Sequence, residues 1–273
     1  MRAVVLGFGL LLPAWAGAVG GGAAAPGIWQ VSLAFSATQF HYEESVNGGV
    51  LDRENGLLPG LDAGLGYARG AWFAHGALRY HGDAVDYDGQ TQSGILVASR
   101  TNEGILDVSL LGGHRWRRLG RWRVSAYGGL GYRRWQRDIR STPIASGVFE
   151  TYRWGYGFLG ATIGRRLGAR ARWSLDGRVS RTMGARVAVD FKGAFDSVSL
   201  APGARFAGRL ALRFAYRLAR AWSVQAVPYV EWWNLGQSSA RPLTRGGASF
   251  GSMFEPRSET RVIGFELGVS RRF

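Results

Sequence analysis

The sequence predicts an all-β fold, a closed antiparallel transmembrane β-barrel of about ten strands with up-and-down topology. Three observations predict it. Apolar and polar residues alternate in a series of segments, short connections between these segments alternate with long ones, and tryptophans gather at the segment ends. Alternation at every second residue is typical of a strand with one apolar face.

The C-terminal segment shows the alternation most clearly. Ile263, Phe265, Leu267 and Val269 stand at every second position before the terminal Phe273. The same pattern predicts strands whose bounds are accurate to about two to four residues. These strands are 28–43, 56–68, 71–84, 102–116, 121–137, 150–166, 172–189, 204–217, 221–235 and 259–273.

The sixth predicted strand is less regular than the others. It begins with Tyr152, Trp154, Tyr156 and Phe158 on one face, and its apolar parity changes near Leu159. A change of parity within one strand predicts a β-bulge.

The connections fall into two classes. Short turns are predicted at 69–70, 117–120, 167–171 and 218–220. Long polar loops are predicted near 44–55, 85–101, 138–149, 190–203 and 236–258. Short turns at one end and long loops at the other, over an even number of antiparallel strands, are typical of an outer-membrane barrel.

Tryptophan placement discriminates between this barrel and a soluble β-sandwich, which also alternates apolar and polar residues. One group lies at strand ends beside the short turns: Trp29, Trp72, Trp116, Trp122, Trp173 and Trp222. A second group lies toward the opposite ends: Trp135, Trp154, Trp232 and Trp233. Indole rings prefer the membrane–water interface, so two aromatic belts are predicted around an apolar band.

The N-terminus resembles a secretory signal peptide over residues 1–18. Met1 and Arg2 form a short positive region, an apolar run follows, and Ala16 to Ala18 offer a small-residue cleavage site. An N-terminal membrane anchor, the alternative, needs a longer apolar run. Residues 19–273 then form a single barrel domain, and the absence of cysteine excludes disulfides and a lipoprotein attachment site.

The charge is strongly basic, with a formal net charge of +15 and 42 glycines among 273 residues. Such a balance suggests nucleic acid or an anionic surface as partner. The arginines are scattered among the alternating segments, however, and no nucleic-acid-binding motif occurs. We therefore expect anionic lipid headgroups rather than nucleic acid.

Taken together, the signal peptide, the amphipathic strands, the alternating loop lengths and the terminal Phe273 resemble the integral outer-membrane β-barrel proteins of Gram-negative bacteria. In that family the barrel assembly machinery reads the last strand as a signal, and Phe265, Leu267, Val269 and Phe273 match it. Arg271 departs from it, since an aromatic residue is common there. The resemblance implies a monomer in the cell outer membrane, in contact with lipid and lipopolysaccharide.

Charged residues occupy many of the inward positions. A barrel of this size lies just above the size whose interior side chains can fill. The predicted lumen ion-pair network comprises Asp62, Arg79, Asp107, Arg123, Asp176, Arg178, Arg209, Arg213, Glu231 and Glu266. The alternative is a charged path through a narrow, porin-like anion-conducting pore.

Strand number and length are similar to those of the omptin proteases, whose rim active site uses paired aspartates facing a His–Asp pair. The segment 80–89 supplies carboxylates and His81, but no histidine lies where that His–Asp pair would be. Without an imidazole to activate water, the general-base argument fails. We therefore predict no catalytic residue, no metal site and no cofactor, and keep an omptin-like protease as an alternative.

One basic and aromatic patch is predicted to contact lipopolysaccharide, because guanidinium groups bind phosphate in bidentate fashion and indoles sit at the headgroup boundary. Its members are Arg133, Arg134, Arg137, Arg140, Arg153, Trp135 and Trp154. The alternative is that these arginines pair with neighbouring acids or water. The expected function is a structural or surface-interaction protein of the outer membrane with a largely filled lumen.

Overall fold

The computed structural model describes residues 26–91, 94–116 and 122–273, so the predicted signal peptide and the predicted turn at 117–120 lie outside the described residues. The described residues form thirteen strands. They are β1 (Ile28–Val46), β2 (Gly49–Arg69), β3 (Trp72–Gln90), β4 (Leu96–Arg115), β5 (Trp122–Ile139), β6 (Val148–Leu167), β7 (Ala171–Asp190), β8 (Val198–Leu200), β9 (Phe206–Arg217), β10 (Trp222–Leu235), β11 (Arg241–Arg245), β12 (Ala248–Met253) and β13 (Arg257–Arg272).

Ten of these strands close into an antiparallel barrel. The order is β1 to β7 in sequence, then β9, β10 and β13, and β13 pairs with β1 from Gln30–Arg272 to Ser45–Arg257. Each barrel strand overlaps one of the predicted segments, and the predicted up-and-down topology is confirmed. Strand β8 pairs with the end of β7 at the rim of the barrel, while β11 and β12 form a separate hairpin.

The outer face is apolar where the strands alternate. On β13 the side chains of Ile263, Phe265, Leu267 and Val269 are between 44% and 62% exposed. An apolar surface that encircles a molecule is far larger than the patches soluble monomers expose. Within the described residues, no helix is long and apolar enough to cross a bilayer.

Two of the five predicted long loops are wrong. Most of 44–55 and 85–101 is strand, and β1 joins β2 through a two-residue turn with positive φ at Asn47 (51°) and Gly48 (81°). An Asn-Gly pair is a strong hairpin signal. The polar residues suggested a loop, but side chains such as Glu54 face the barrel interior and are buried there.

The predicted change of parity in β6 is also wrong. Tyr152, Trp154, Tyr156 and Phe158 all face inward and are buried. The irregularity lies where β6 pairs with β7, at a register shift opposite Gly184, whose φ is 60°. Glycine accommodates this left-handed conformation without steric cost, so β7 takes up the extra residue.

The tryptophans form one outer belt rather than two. Near the short turns, six indoles lie on the outer face and are exposed or half-exposed: Trp29, Trp72, Trp116, Trp122, Trp173 and Trp222. Toward the long loops Trp232 faces outward, but Trp135, Trp154 and Trp233 are buried in the lumen. Their inward parity sends them to pack against interior arginines.

A short hydrogen-bonded tie orders two of the long connections. The Asp196 carboxylate accepts bonds from the Thr244 hydroxyl (2.6 Å) and from the backbone N–H groups of Gly246 (3.0 Å) and Gly247 (3.1 Å). Nearby, the Phe195 and Phe250 rings lie 5.9 Å apart in an edge-to-face arrangement. The connection after β7 is thereby fastened to the β11–β12 hairpin.

Replacing Asp196 by alanine should release this hairpin. The Thr244 hydroxyl and the two glycine N–H groups lower the pKa of Asp196. The tie is therefore present above the ordinary aspartate pKa and is lost only as the pH falls through the lowered value. Limited trypsin digestion of the folded protein at pH 7 should cut faster after Arg245 in the variant. Asp190→Ala, which removes only a local bond to Lys192, is the control, and equal cleavage in both variants contradicts the assignment.

Candidate functional site

The middle of the lumen is crossed by an ion-pair network centred on Glu231. Its Oε1 lies 2.5 Å from Nη2 of Arg133 and 3.9 Å from Nη2 of Arg178. Its Oε2 lies 3.2 Å from Nη1 of Arg79 and 3.6 Å from Nε of Arg209. One buried carboxylate therefore contacts guanidinium groups from four other strands.

Two further carboxylates complete this network. Asp107 accepts hydrogen bonds from Nε of Arg133 (2.9 Å), from Nη2 of Arg79 (3.3 Å) and from the Tyr156 hydroxyl (2.9 Å). Glu266 accepts one from Arg209 (2.5 Å). We call the charged members the middle cluster: Arg79, Asp107, Arg133, Arg178, Arg209, Glu231 and Glu266.

A second network lies nearer the long loops and surrounds Arg137. The guanidinium group is fully buried, yet five carboxylates lie within 4 Å of its nitrogens. The distances are 2.7 Å for Glu150, 3.0 Å for Glu54, 3.1 Å for Glu44, 3.7 Å for Glu103 and 3.9 Å for Asp52.

Hydroxyl and aromatic groups complete the surroundings of Arg137. Its Nη1 donates to the hydroxyls of Tyr42 (3.2 Å) and Tyr152 (3.3 Å). The Cζ atom of Arg137 lies 4.2 Å from the centre of the Tyr42 ring. The Tyr152 hydroxyl donates in turn to Glu255 (2.6 Å). Burial raises the pKa of Glu255, which lies in the connection between β12 and β13.

The upper cluster, defined as Arg137 with these six acids, contains far more acid than base. Carboxylates that share one site disfavour each other's ionisation. Three of their oxygens, on Asp52, Glu54 and Glu103, are buried without a hydrogen bond in the described residues. The single guanidinium group therefore does not balance the carboxyl groups of this cluster.

The structure divides the ten predicted lumen residues. Six of them belong to the middle cluster: Arg79, Asp107, Arg178, Arg209, Glu231 and Glu266. Asp62 lies opposite Arg79 in the β2–β3 register. Asp176 instead accepts from the hydroxyls of Tyr127 (2.8 Å) and Thr162 (2.7 Å). Arg123 and Arg213 lie near the short-turn ends of their strands, apart from the network.

The predicted lipopolysaccharide patch is wrong for four of its seven members. Arg133, Arg137, Trp135 and Trp154 are buried in the lumen, where they cannot reach lipid. Consecutive residues of a strand point to opposite faces, so closeness in sequence grouped inward and outward side chains together. Arg134 and Arg153 do face outward, and Arg140 lies beyond the end of β5, where it donates to Asn102 (2.8 Å).

Sequence reasoning missed the six acids of the upper cluster: Glu44, Asp52, Glu54, Glu103, Glu150 and Glu255. Asp52 and Glu54 lie an even number of positions from the buried Leu58 and therefore face the same side of β2. That spacing was the available signal for inward acids.

The residues considered for an omptin-like rim site have other partners in the described part of the chain. His81 lies inside the barrel, with its Nε2 2.9 Å from the Ser36 hydroxyl. His41 bonds to Asn55 (2.6 Å). Asp86 pairs with Arg100 at 3.8 Å. Among the described residues, no His, Cys, Asp and Glu side chains are grouped so as to hold a metal ion.

Little free space remains beside the middle cluster. A cavity of about 20 Å³ lies between Arg133, Arg178 and Glu231. That volume accommodates roughly one water molecule. The two clusters and the inward aromatic side chains therefore fill this section of the lumen.

Comparison with known proteins identifies the fold. No family model and no curated protein matches this chain. The outer membrane protease OmpT from Escherichia coli has a TM-score of 0.62 at 10% identity, over 92% of this chain and 98% of that one. Lower scores are obtained for OprG from Pseudomonas aeruginosa (0.43, 10% identity, 90% and 96% covered) and the translocator domain of NalP from Neisseria meningitidis (0.42, 15% identity, 92% and 90% covered). The chain thus shares the fold of Gram-negative outer-membrane β-barrels.

Removing the guanidinium group of Arg137 should destabilise the barrel strongly. An Arg137→Met variant leaves the five carboxyl groups around it without their cation. Breaking a buried ion pair on one side costs about 3–5 kcal/mol. We expect the heat-modifiable band on an unboiled gel to disappear at a clearly lower temperature. Arg100→Met removes an exposed pair with Asp86 and should cost no more than about 1 kcal/mol. Equal melting of the two variants contradicts a stabilising role for the upper cluster.

Proposed function

We propose that this protein is an integral outer-membrane barrel with a filled lumen that acts as a structural or surface-interaction protein. One observation carries the proposal. Glu231 on β10 contacts arginines on β3, β5, β7 and β9, so ion pairs join the facing walls across the lumen. A barrel fastened in this way serves as a rigid anchor for its outer surface and loops.

Residence in the outer membrane is supported by the outer surface and by the shared fold. The apolar band is bordered at the short-turn end by the outward tryptophans. Short turns face the periplasm in barrels of this kind, which sends the long loops outside the cell. Phe265, Leu267 and Val269 are exposed on the outer face of β13, and Phe273 is exposed directly after its end. This exposure supports their proposed role as the signal read by the assembly machinery.

A filled lumen is favoured over an anion-conducting pore by the sign of the charges. An anion that enters from the long-loop end meets the upper cluster, which contains six acids and one arginine. Repulsion by buried like charge is little screened by salt. The middle cluster then blocks the remaining path with side chains in direct contact.

The surface interaction that we propose uses a row of outward arginines. Arg134 on β5 lies opposite Arg153 on β6, which lies opposite Arg186 on β7. None of the three makes a hydrogen bond or ion pair with a described residue, and Nε of Arg134 is buried without a partner. Like charges placed directly opposite destabilise a sheet. Phosphate groups of lipopolysaccharide would relieve the repulsion and accept bidentate hydrogen bonds.

The refolded protein should show no steady conductance in a planar bilayer. A variant in which Arg79, Arg133 and Glu231 are all replaced by serine should conduct, because it removes the side chains that cross the lumen. An unboiled gel first establishes that the variant is folded. Steady, anion-selective conductance of the unmodified protein contradicts the filled lumen.

Replacement of Arg134, Arg153 and Arg186 together by glutamine should reduce copurifying lipopolysaccharide about tenfold, the effect of losing roughly 1.4 kcal/mol of binding. The matched control replaces Arg165, Arg170 and Arg220 by glutamine, which lowers the net charge equally at the short-turn end. Unchanged copurification in the first variant, or equal loss in both, contradicts the arginine row as the binding surface.

A further inference from the structure

The charged side chains at the short-turn end of the barrel are all of one sign. Residues 26–33, 65–78, 110–116, 122–126, 160–175, 212–225 and 268–273 form this end and contain no aspartate or glutamate. The same ranges contain twelve arginines: Arg69, Arg115, Arg123, Arg165, Arg166, Arg170, Arg172, Arg213, Arg217, Arg220, Arg271 and Arg272. Much of the protein's net positive charge is therefore concentrated at this end.

Seven of these arginines occupy inward positions, because each lies an even number of positions along the chain from an inward residue of the same strand. They are Arg115, Arg123, Arg166, Arg172, Arg213, Arg217 and Arg272. We call five of them, which act on one another around Arg172, the arginine mouth: Arg115 on β4, Arg123 on β5, Arg172 on β7, Arg213 on β9 and Arg272 on β13. Six of the ten barrel strands thus direct a guanidinium group into one opening.

Arg172 lies at the centre of the arginine mouth. The charged groups acting on it are other arginines, namely Arg272, Arg213, Arg123 and Arg115. Arg172 is half-buried and Arg213 is exposed to the opening, and neither makes a hydrogen bond or ion pair with a described residue. Their donors are therefore available to a ligand.

The other polar groups nearby do not neutralise this charge. Arg272 donates to the amide oxygen of Gln30 (3.3 Å), and the guanidinium group of Arg115 lies 4.8 Å from the centre of the Phe73 ring. His75 shares the inward parity of Arg79 and brings no negative charge to the arginine mouth. The nearest inward acid on β7 is Asp176, whose oxygens already accept from Tyr127 and Thr162.

Physical chemistry indicates what such an opening binds. A concave site with low-dielectric walls and charge of one sign focuses its field and concentrates counter-ions. Guanidinium groups match the oxygens of phosphate in bidentate geometry. The middle cluster closes the lumen beyond this site, so an anion can enter and leave only from the short-turn end.

We infer that the arginine mouth binds multivalent phosphate, either as a free anion or as the headgroup of an anionic lipid. This binding activity goes beyond the proposed function, since it requires the barrel fold but neither the filled lumen nor the outward arginine row. A multivalent anion is favoured over chloride because several guanidinium groups converge on one opening.

Thermal unfolding of the full mature chain tests the inference. The protein is refolded in a neutral detergent, and inorganic pyrophosphate is added at constant ionic strength. A ligand that binds only the folded state raises the unfolding temperature. We expect a saturable rise for the unmodified protein and at least about a tenfold weaker response for the variant Arg172→Gln/Arg213→Gln.

The matched control is Arg165→Gln/Arg170→Gln, which removes the same charge from an outward position and a turn at the same end. It should retain the response. Absence of any rise at millimolar pyrophosphate and with lipid, or equal loss in both variants, overturns the inference. If the first variant does not fold on an unboiled gel, Arg213→Gln alone is used, since that side chain is exposed.

A second arm identifies the source of the phosphate. Short-chain phosphatidic acid in the same detergent replaces pyrophosphate, with short-chain phosphatidylcholine as the neutral comparison. Stabilisation by both anions supports a site for free phosphate groups. Stabilisation by phosphatidic acid alone supports a site for a lipid headgroup. In either case Arg172→Gln/Arg213→Gln should abolish the stabilisation. Stabilisation that survives in this variant overturns the inference.

Discussion

The structure depends on the closure of the sheet through the pairing of β1 with β13. In hydrocarbon, each backbone N–H and C=O group needs a partner within the protein, because an unpaired group costs several kcal/mol. The register from Gln30–Arg272 to Ser45–Arg257 removes the two edges that an open sheet would expose. Closure then determines where each side chain points, since alternate residues of a strand face either the surroundings or the lumen.

The lumen is the place where this closed fold accommodates charge. Inward side chains cannot reach bulk water freely. Each charged group therefore needs an oppositely charged or hydrogen-bonding partner, or it becomes neutral by gaining or losing a proton. The middle cluster meets the requirement with nearly balanced charges shared around Glu231. The upper cluster meets it differently, with one arginine and hydroxyl donors among its carboxyl groups. The strands are thus held together from inside as well as along their edges.

Sequence reasoning identified the strands and most of their faces because both follow from a period of two residues. It could not identify contacts across the lumen, since Arg133 and Glu231 are 98 residues apart and Arg137 and Glu44 are 93 apart. Which inward arginine meets which acid depends on the strand register and the barrel's closure. The sequence predicts a loop around Asp52 because the stretch is polar, and the partner that allows Asp52 to be buried, Arg137, lies on another strand.

The distribution of charge along the barrel explains why composition alone was a poor guide to a partner. A net charge of +15 suggests an anionic partner for the whole molecule. The charges are in fact separated, with arginines at the short-turn end and buried acids of the upper cluster toward the long loops. At physiological salt, an exposed positive charge attracts anions only within a Debye length of about 8 Å. The row of outward arginines and the arginine mouth are therefore separate basic surfaces at different heights of the barrel.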